Sequence, residues 1–157
     1  MGFETYLAYP ITAITSFIMT LIFIPKKDYK EYFIQGIMTG AALDILIVAI
    51  FQDLFHIIQF KNQWVFEALG QNALSPFCWL FVTMLYLYFL PEKRLLRFIY
   101  YAASGASSVI FGYFVHNANL FDFQPWFYPF FSFVIFTIRW IFVAWVFVRT
   151  SPLGREK

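Results

Sequence analysis

The chain alternates long apolar stretches with short polar clusters. The stretches are Thr5 to Ile24, Tyr32 to Phe51, Pro76 to Leu90, Phe98 to His116 and Tyr128 to Val148, and each approaches the roughly 20 residues a helix needs to cross the hydrocarbon of a bilayer. The third is short unless it begins near Ala73, although Ser75-Pro76 has the form of an N-cap followed by proline at the first helical position. Pro10 falls in the opening turns of the first stretch, where a missing amide costs least. The pattern therefore predicts an all-α polytopic membrane helix bundle, a single domain over 1–157 with about five transmembrane helices at about 5–24, 32–51, 73–90, 98–116 and 128–148.

The longest connection, Gln52 to Asn72, is too apolar for a plain loop. Leu54, Phe55, Ile57, Ile58, Phe60, Trp64, Val65, Phe66 and Leu69 punctuate its polar residues, which predicts an extension of the second span and then a short helix lying in the outer interface. No internal repeat or Pro-rich linker divides the chain.

Composition sharpens the membrane reading. Hydrophobic residues make up 61% of the 157 and charged residues 13%, against about 45–50% and about 25% in soluble domains. A body of this size would be left with a greasy exterior, for which lipid is the matching solvent. Aromatic content of 24% agrees, since Tyr and Trp favour membrane interfaces. The single cysteine, Cys78, rules out an intramolecular disulfide or a Cys-Cys zinc knuckle, and a net charge of +2 with dispersed basic residues argues against nucleic acid as a partner.

The basic residues also orient the chain, because short cytoplasmic loops accumulate Lys and Arg. Lys26, Lys27 and Lys30 follow the first span, Lys93, Arg94 and Arg97 the third, and Arg149, Arg155 and Lys157 the fifth. Five crossings place all of these on one side. Lys61 is then the sole Lys or Arg opposite, among Glu4, Asp53, Glu67 and Asp122. The expectation is a multi-pass plasma-membrane protein with its N-terminus outside and its C-terminus in the cytoplasm. The first stretch reads as a permanent helix and not a cleaved signal, since Glu4 precedes it and lysines follow.

Small residues mark helix seams, because lipid supplies no hydrophobic force between helices and close packing must do the associating. Gly36 and Gly40 continue at the same spacing to Asp44, and Ser104, Ser108 and Gly112 continue to His116. Either stripe serves packing within one subunit or a homodimer seam. Asp44 and Arg139 are the ionisable residues deepest in the second and fifth spans. Counted from Glu31 and Arg149, they lie roughly 20 Å and roughly 15 Å from the cytoplasmic edge. An unpaired charge at mid-membrane is costly, so the two are expected to approach each other, directly or through water, with Asp44 ionised, as a structural strut or as a ligand or proton site.

Asp53, His56, His116 and Asp122 form an outer-face polar set, and on a continuous helix Asp53 and His56 would share a face. Imidazole and carboxylate suit several metals, including a bis-histidine haem iron, but polar residues at helix ends more commonly meet the interface. Any metal is left unassigned and no cofactor is expected. No GxSxG, HExxH or paired-carboxylate arrangement supports catalysis.

Pro25-Lys26-Lys27 with Lys30-Glu31-Tyr32, Gly36 through Asp44, Tyr88-Phe89-Leu90-Pro91 and the closing helix Ser132 to Arg149 together resemble a family of small uncharacterised five-helix membrane proteins of spore-forming Gram-positive bacteria. The resemblance covers nearly the whole chain and implies a bacterial plasma membrane and the five-span topology; it implies no activity. Function is expected to be non-enzymatic, through self-association or association with another membrane protein. The alternatives are a small-molecule or ion binding or transport module around Asp44 and Arg139, and an intramembrane enzyme or haem or metal protein.

Overall fold

The computed structural model describes residues 6–157 except Leu69, and leaves the side chain of Trp64 aside. Glu4 and Thr5, assigned above to the outer flank and the first span, and Leu69, assigned to the outer connection, lie outside the described residues.

Prolines set many of the boundaries. Helix α1 (Ala8–Phe23) carries Pro10 in its first turn and stops before Pro25, with Ile24 held extended as a residue before proline must be. Helix α2 (Lys26–Leu54) starts directly after that proline, with Asp28 in its first turn, where the helix dipole favours a negative charge. Helix α3 (Ser75–Tyr88) has Pro76 in its first turn and ends just before Leu90-Pro91. Helices α4 (Arg94–Asn117) and α5 (Phe130–Thr150) follow, and extended Ser151 leads through Pro152 into the short α6 (Pro152–Arg155).

The helices sit where the apolar stretches predict, with different lengths. Three of those described, α2, α4 and α5, are long and apolar enough to cross a membrane. Helix α1 has 16 residues and α3 has 14, or about 24 and about 21 Å at 1.5 Å per residue. Helix α2 begins before the predicted Tyr32, because Lys26 to Glu31 form its first turns and not a loop.

Helix α2 is also irregular. Gly36–Ala41 and Ala49–Leu54 are π-helical turns, and Ala42–Val48 between them is regular α-helix carrying Asp44. Ser75 caps nothing: Leu74 occupies the cap position of α3, and the Ser75 hydroxyl donates to Asp44 Oδ2 at 3.0 Å. The expected cap is thus a tertiary contact.

The outer connection departs furthest from expectation. Helix α2 does extend to Leu54, but the predicted interfacial helix is replaced by β1 (Ile58–Phe60), one 3-10 turn at Trp64–Phe66, β2 (Glu67–Ala68) and β3 (Gln71–Asn72). Strand β1 pairs antiparallel with β4 (Phe121–Phe123) from the α4–α5 connection, while β2 pairs with β3. Left-handed backbone at His56, Asn62, Asn119 and Gly70 makes the bends, which a helix could not accommodate. These strands are short, and the chain remains overwhelmingly helical.

The interior is polar in places where a water-soluble core would be apolar. Thr20, Thr83 and Ser132 are fully buried, whereas Ile22, Leu95, Ile110 and Phe130 are each about two-thirds exposed or more. The largest apolar core joins α2, α3 and α5 through Tyr32, Leu80, Met84, Leu87, Trp140 and Phe147. A second, at the opposite end, joins α1, α3 and α4 around Tyr9, Cys78 and Val115.

The basic clusters share one end of the bundle. Thr20 and Tyr29 hydroxyls are hydrogen-bonded at 2.9 Å, the Tyr32 ring stacks on Phe147, and Gln35 donates to Thr150. The Lys157 ammonium donates to the carbonyls of Leu87, Tyr88 and Leu90, and Arg97 donates to the Lys157 carbonyl. A cation at the C-terminus of α3 satisfies carbonyls that the helix leaves open and complements its dipole.

Candidate functional site

The small-residue stripes are seams within the chain. A Cβ built on Gly40 would lie 2.6 Å from the Trp79 carbonyl oxygen and 2.9 Å from Leu80 Cα, and one on Gly36 would lie 2.9 Å from the Leu80 carbonyl oxygen. Only hydrogen at these positions lets α2 lie directly on α3. On α4, Gly105 faces Thr137 and Gly112 faces the Tyr128 ring, while the Ser108 hydroxyl accepts the Trp140 indole N–H at 3.0 Å. The α4–α5 seam therefore runs through Gly105, Ser108 and Gly112. Ser104, one turn before Ser108, lines the groove that Ser108 also borders, and its carbonyl accepts from the Ser108 hydroxyl.

Close approach of α2, α3 and α5 carries Asp44 and Arg139 to one place. Both are about 95% buried, and both line a cavity of about 70 Å³ with Ser75, Trp79, Ser108 and Tyr128. They do not close into a direct ion pair: the salt bridges among the described residues are those of Asp122 with Lys61 and with His116. The Trp79 ring lies under the Arg139 guanidinium at 3.8 Å. One guanidinium nitrogen of Arg139 donates to the Gly40 carbonyl at 3.3 Å. Its Nε–H has no hydrogen-bond partner among the described residues, which is unusual for a group so deeply buried.

Chemically, the Arg139 guanidinium, the Asp44 carboxylate and the hydroxyls of Ser75 and Ser108 share one cavity with a mostly apolar lining that includes Val48, Phe60, Phe111 and Phe136. Sequence reasoning located the two charged residues by depth. It missed Ser75, Trp79 and Tyr128, whose residue types are ordinary in apolar helices and give no signal of a shared cavity.

A second cavity, of about 440 Å³, is a groove on α3 between α1 and α4, lined by Thr12, Trp79, Tyr86, Ser104, Ser107 and Trp140 among others. It reaches the exterior, for Ala103 and Ser107 on its rim are exposed. Trp79, Ser108 and Phe111 line the groove and the chamber alike.

The outer-face set separates into two groups. Asp122 accepts from Lys61 and lies 3.6 Å from His116 Nδ1. The Lys61 ammonium, first among the causes, and the Phe123 amide hold the Asp122 carboxyl below the usual carboxylate range. His56 lies beyond the end of α2, so the expected shared helical face with Asp53 does not exist. Its Nδ1 is 2.9 Å from the Gln52 carbonyl oxygen, and it lines an open polar hollow with Asp53 and Glu67. Among the described residues no three His, Cys, Asp or Glu side chains converge as metal ligands.

Comparison with protein-family models, with curated proteins and with solved structures gave no match.

Proposed function

We propose that the chain is an integral membrane protein crossing the bilayer five times, N-terminus outside and C-terminus cytoplasmic, and that the buried chamber holding Asp44 and Arg139 binds a small ligand group. Three helices long and apolar enough to span, an apolar exterior and the gathering of the basic clusters at one end support the topology. The shorter α1 and α3 cross by way of their flanking turns and a locally thinned bilayer, a modest mismatch.

One observation carries the binding reading. Two opposite charges buried in the same cavity stand apart without ion-pair contact, and Arg139 keeps an unpartnered N–H. A purely structural strut gains most when the charges meet and every donor is satisfied; a receptor holds its donor and acceptor apart, for a third group to bridge. The small-residue stripes that first suggested association between copies are engaged inside the chain, so binding is preferred over self-association. The bacterial plasma membrane is part of the same proposal.

Native mass spectrometry of protein extracted in mild detergent tests it. Wild type should carry a co-purified molecule that is lost from Asp44→Asn and Arg139→Gln, with both variants still folded by near-UV circular dichroism. Folded wild type with nothing bound, or unchanged binding in both variants, would refute the reading.

A further inference from the structure

We infer that the β1–β4 ribbon is a two-leaved lid, and that the Asp44–Arg139 chamber opens through it to the outer water and not to the lipid or the cytoplasm. This deepens the binding reading above, rests on it for the side called outer, and makes the ligand a small water-soluble molecule that arrives from outside.

Strand alternation builds the lid. Successive side chains of a strand point to opposite faces, and in β1 Ile58 and Phe60 are half-buried while Gln59 between them is exposed. Ile58 and Phe60 line the chamber together with Phe121 of β4. Phe60 stands directly opposite Phe121, and their rings meet edge to face at 5.5 Å. Phe60 also lies against Tyr9, another chamber residue. The other face of the ribbon carries Gln59 opposite Asp122, and the ion pair of Asp122 with Lys61, polar groups that belong in water. The ribbon is therefore a wall one strand thick, with the chamber on one side and the outer medium on the other.

The remaining walls are thicker or barred. Toward the cytoplasmic end, Leu80, Met84 and Leu87 of α3 and Val143, Ala144 and Phe147 of α5 are all buried. From Leu80 to Leu87 that is about 10 Å of closed core. To the side stand half-buried Ile47 and Phe136, apolar side chains that bar a charged solute. Trp79, Ser108 and Phe111 partition the chamber from the groove.

The ribbon is also built to part. Its strands belong to different connections, so each leaf hangs from its own pair of helices, and a two-stranded ribbon is marginal on its own. The leaves turn at left-handed His56, Asn62 and Asn119, in short connections of the kind that absorb hinge motion. Fastenings gather at one end, where Lys61 pairs with Asp122, the Asn62 side chain donates to the Asn119 carbonyl and Gln63 donates to the Leu120 carbonyl. At the other end the Gln124 amide donates to the Ile57 carbonyl and its side chain reaches the His56 carbonyl at 3.4 Å.

A membrane-impermeant thiol reagent, trimethylammonium-ethyl methanethiosulfonate, tests the lid on the full-length chain in right-side-out and inside-out vesicles. Cys78, which lines the groove, is replaced by serine, and a reporter thiol is introduced by Ser75→Cys or, separately, by Val48→Cys; both positions line the chamber and not the groove. Each reporter should label slowly from outside and not from the cytoplasmic side. Lys61→Met removes a half-exposed ion pair and should raise the outer rate up to about fivefold. Phe60→Ala removes the cross-strand ring contact and should raise it about fivefold or more. Val65→Ala, exposed in the same connection and absent from the chamber lining, should leave it unchanged. Labelling from the cytoplasmic side, or equal outer rates in Lys61→Met, Phe60→Ala and Val65→Ala for both reporters, would overturn the lid. If outer labelling behaves as expected but nothing co-purifies with wild type, the lid stands and its ligand falls. If a molecule lost from Asp44→Asn and Arg139→Gln does co-purify while neither reporter labels from outside in any variant, the chamber stands and the lid falls.

Discussion

Replacing Gly40 by alanine is the most direct test of how the chamber is built. The added methyl would sit 2.6 Å from the Trp79 carbonyl oxygen and 2.9 Å from Leu80 Cα, both backbone atoms that cannot turn aside. Ordinary contact begins near 3.4 Å, so α3 must withdraw by the better part of an ångström. Over-packing of this kind costs about 1–3 kcal/mol. Withdrawal also moves Trp79 from beneath the Arg139 guanidinium, 3.8 Å away, and a desolvated cation–π contact contributes up to about 2 kcal/mol. A loss of about 2–4 kcal/mol is therefore expected. Gly36→Ala should lose only about 1 kcal/mol, since one of its two nearest neighbours is the flexible Met84 side chain. Ile22→Ala, on the exposed face of α1, should stay within about 0.5 kcal/mol of wild type. Reversible unfolding in mixed micelles, followed by tryptophan fluorescence, measures all three. Wild-type stability in Gly40→Ala, or a larger loss in Gly36→Ala, would show that the α2–α3 seam is not as close as described.

Asp44→Ala and Arg139→Ala should each lower stability by about 2 kcal/mol or more, because each strands the opposite buried charge; Asp44→Arg combined with Arg139→Asp should recover part of that in the same unfolding assay, and no recovery would mean the two do not sense one another. A reporter fused after Lys157 should read as cytoplasmic and one inserted near Asn62 as external, and the reverse pattern would sink the topology. Because Asp122 has its folded pKa depressed, its contribution is present above the usual carboxylate pKa of about 4 and is lost as pH falls through the depressed value. Hydrogen exchange of the β1–β4 amides should therefore rise, relative to its intrinsic rate, as pH drops below about 4, and Lys61→Met should flatten that dependence.

The parts of this molecule that were legible in the sequence are those governed by one-dimensional rules. Apolar run length placed the helices, proline placed their ends, and counting residues from Glu31 and Arg149 brought Asp44 and Arg139 to a common depth. What escaped depends on three-dimensional insertion. The Trp79 ring packs under the Arg139 guanidinium, and the two charges share a cavity without an ion-pair contact; nothing about an indole in an apolar stretch announces that. Ser75 was legible as a helix start, but its hydroxyl turned to Asp44 and not to the helix end. The groove draws on Thr12, Ser104 and Ser107 from two helices, whose residue types are routine in packed spans. In the outer connection the apolar content was read correctly as a sign of order, yet left-handed bends at His56 and Asn62 turned it into ribbons instead of a helix.

The π-helical turn at Gly36–Ala41 makes the length of α2 as informative as its composition. Such a turn behaves as a helix carrying one surplus residue. Deleting a single residue there would let the segment relax into regular α-helix with Asp44 on the same face, whereas tightening the turn to α-helix with all of its residues kept would rotate everything downstream by about 100°. Asp44 would then swing away from Ser75 and Arg139, although neither its identity nor any neighbour's had changed. For this chain, the register of one helix, set by that turn between Pro25 and Asp44, is as much a determinant of the chamber as the charged residues that line it.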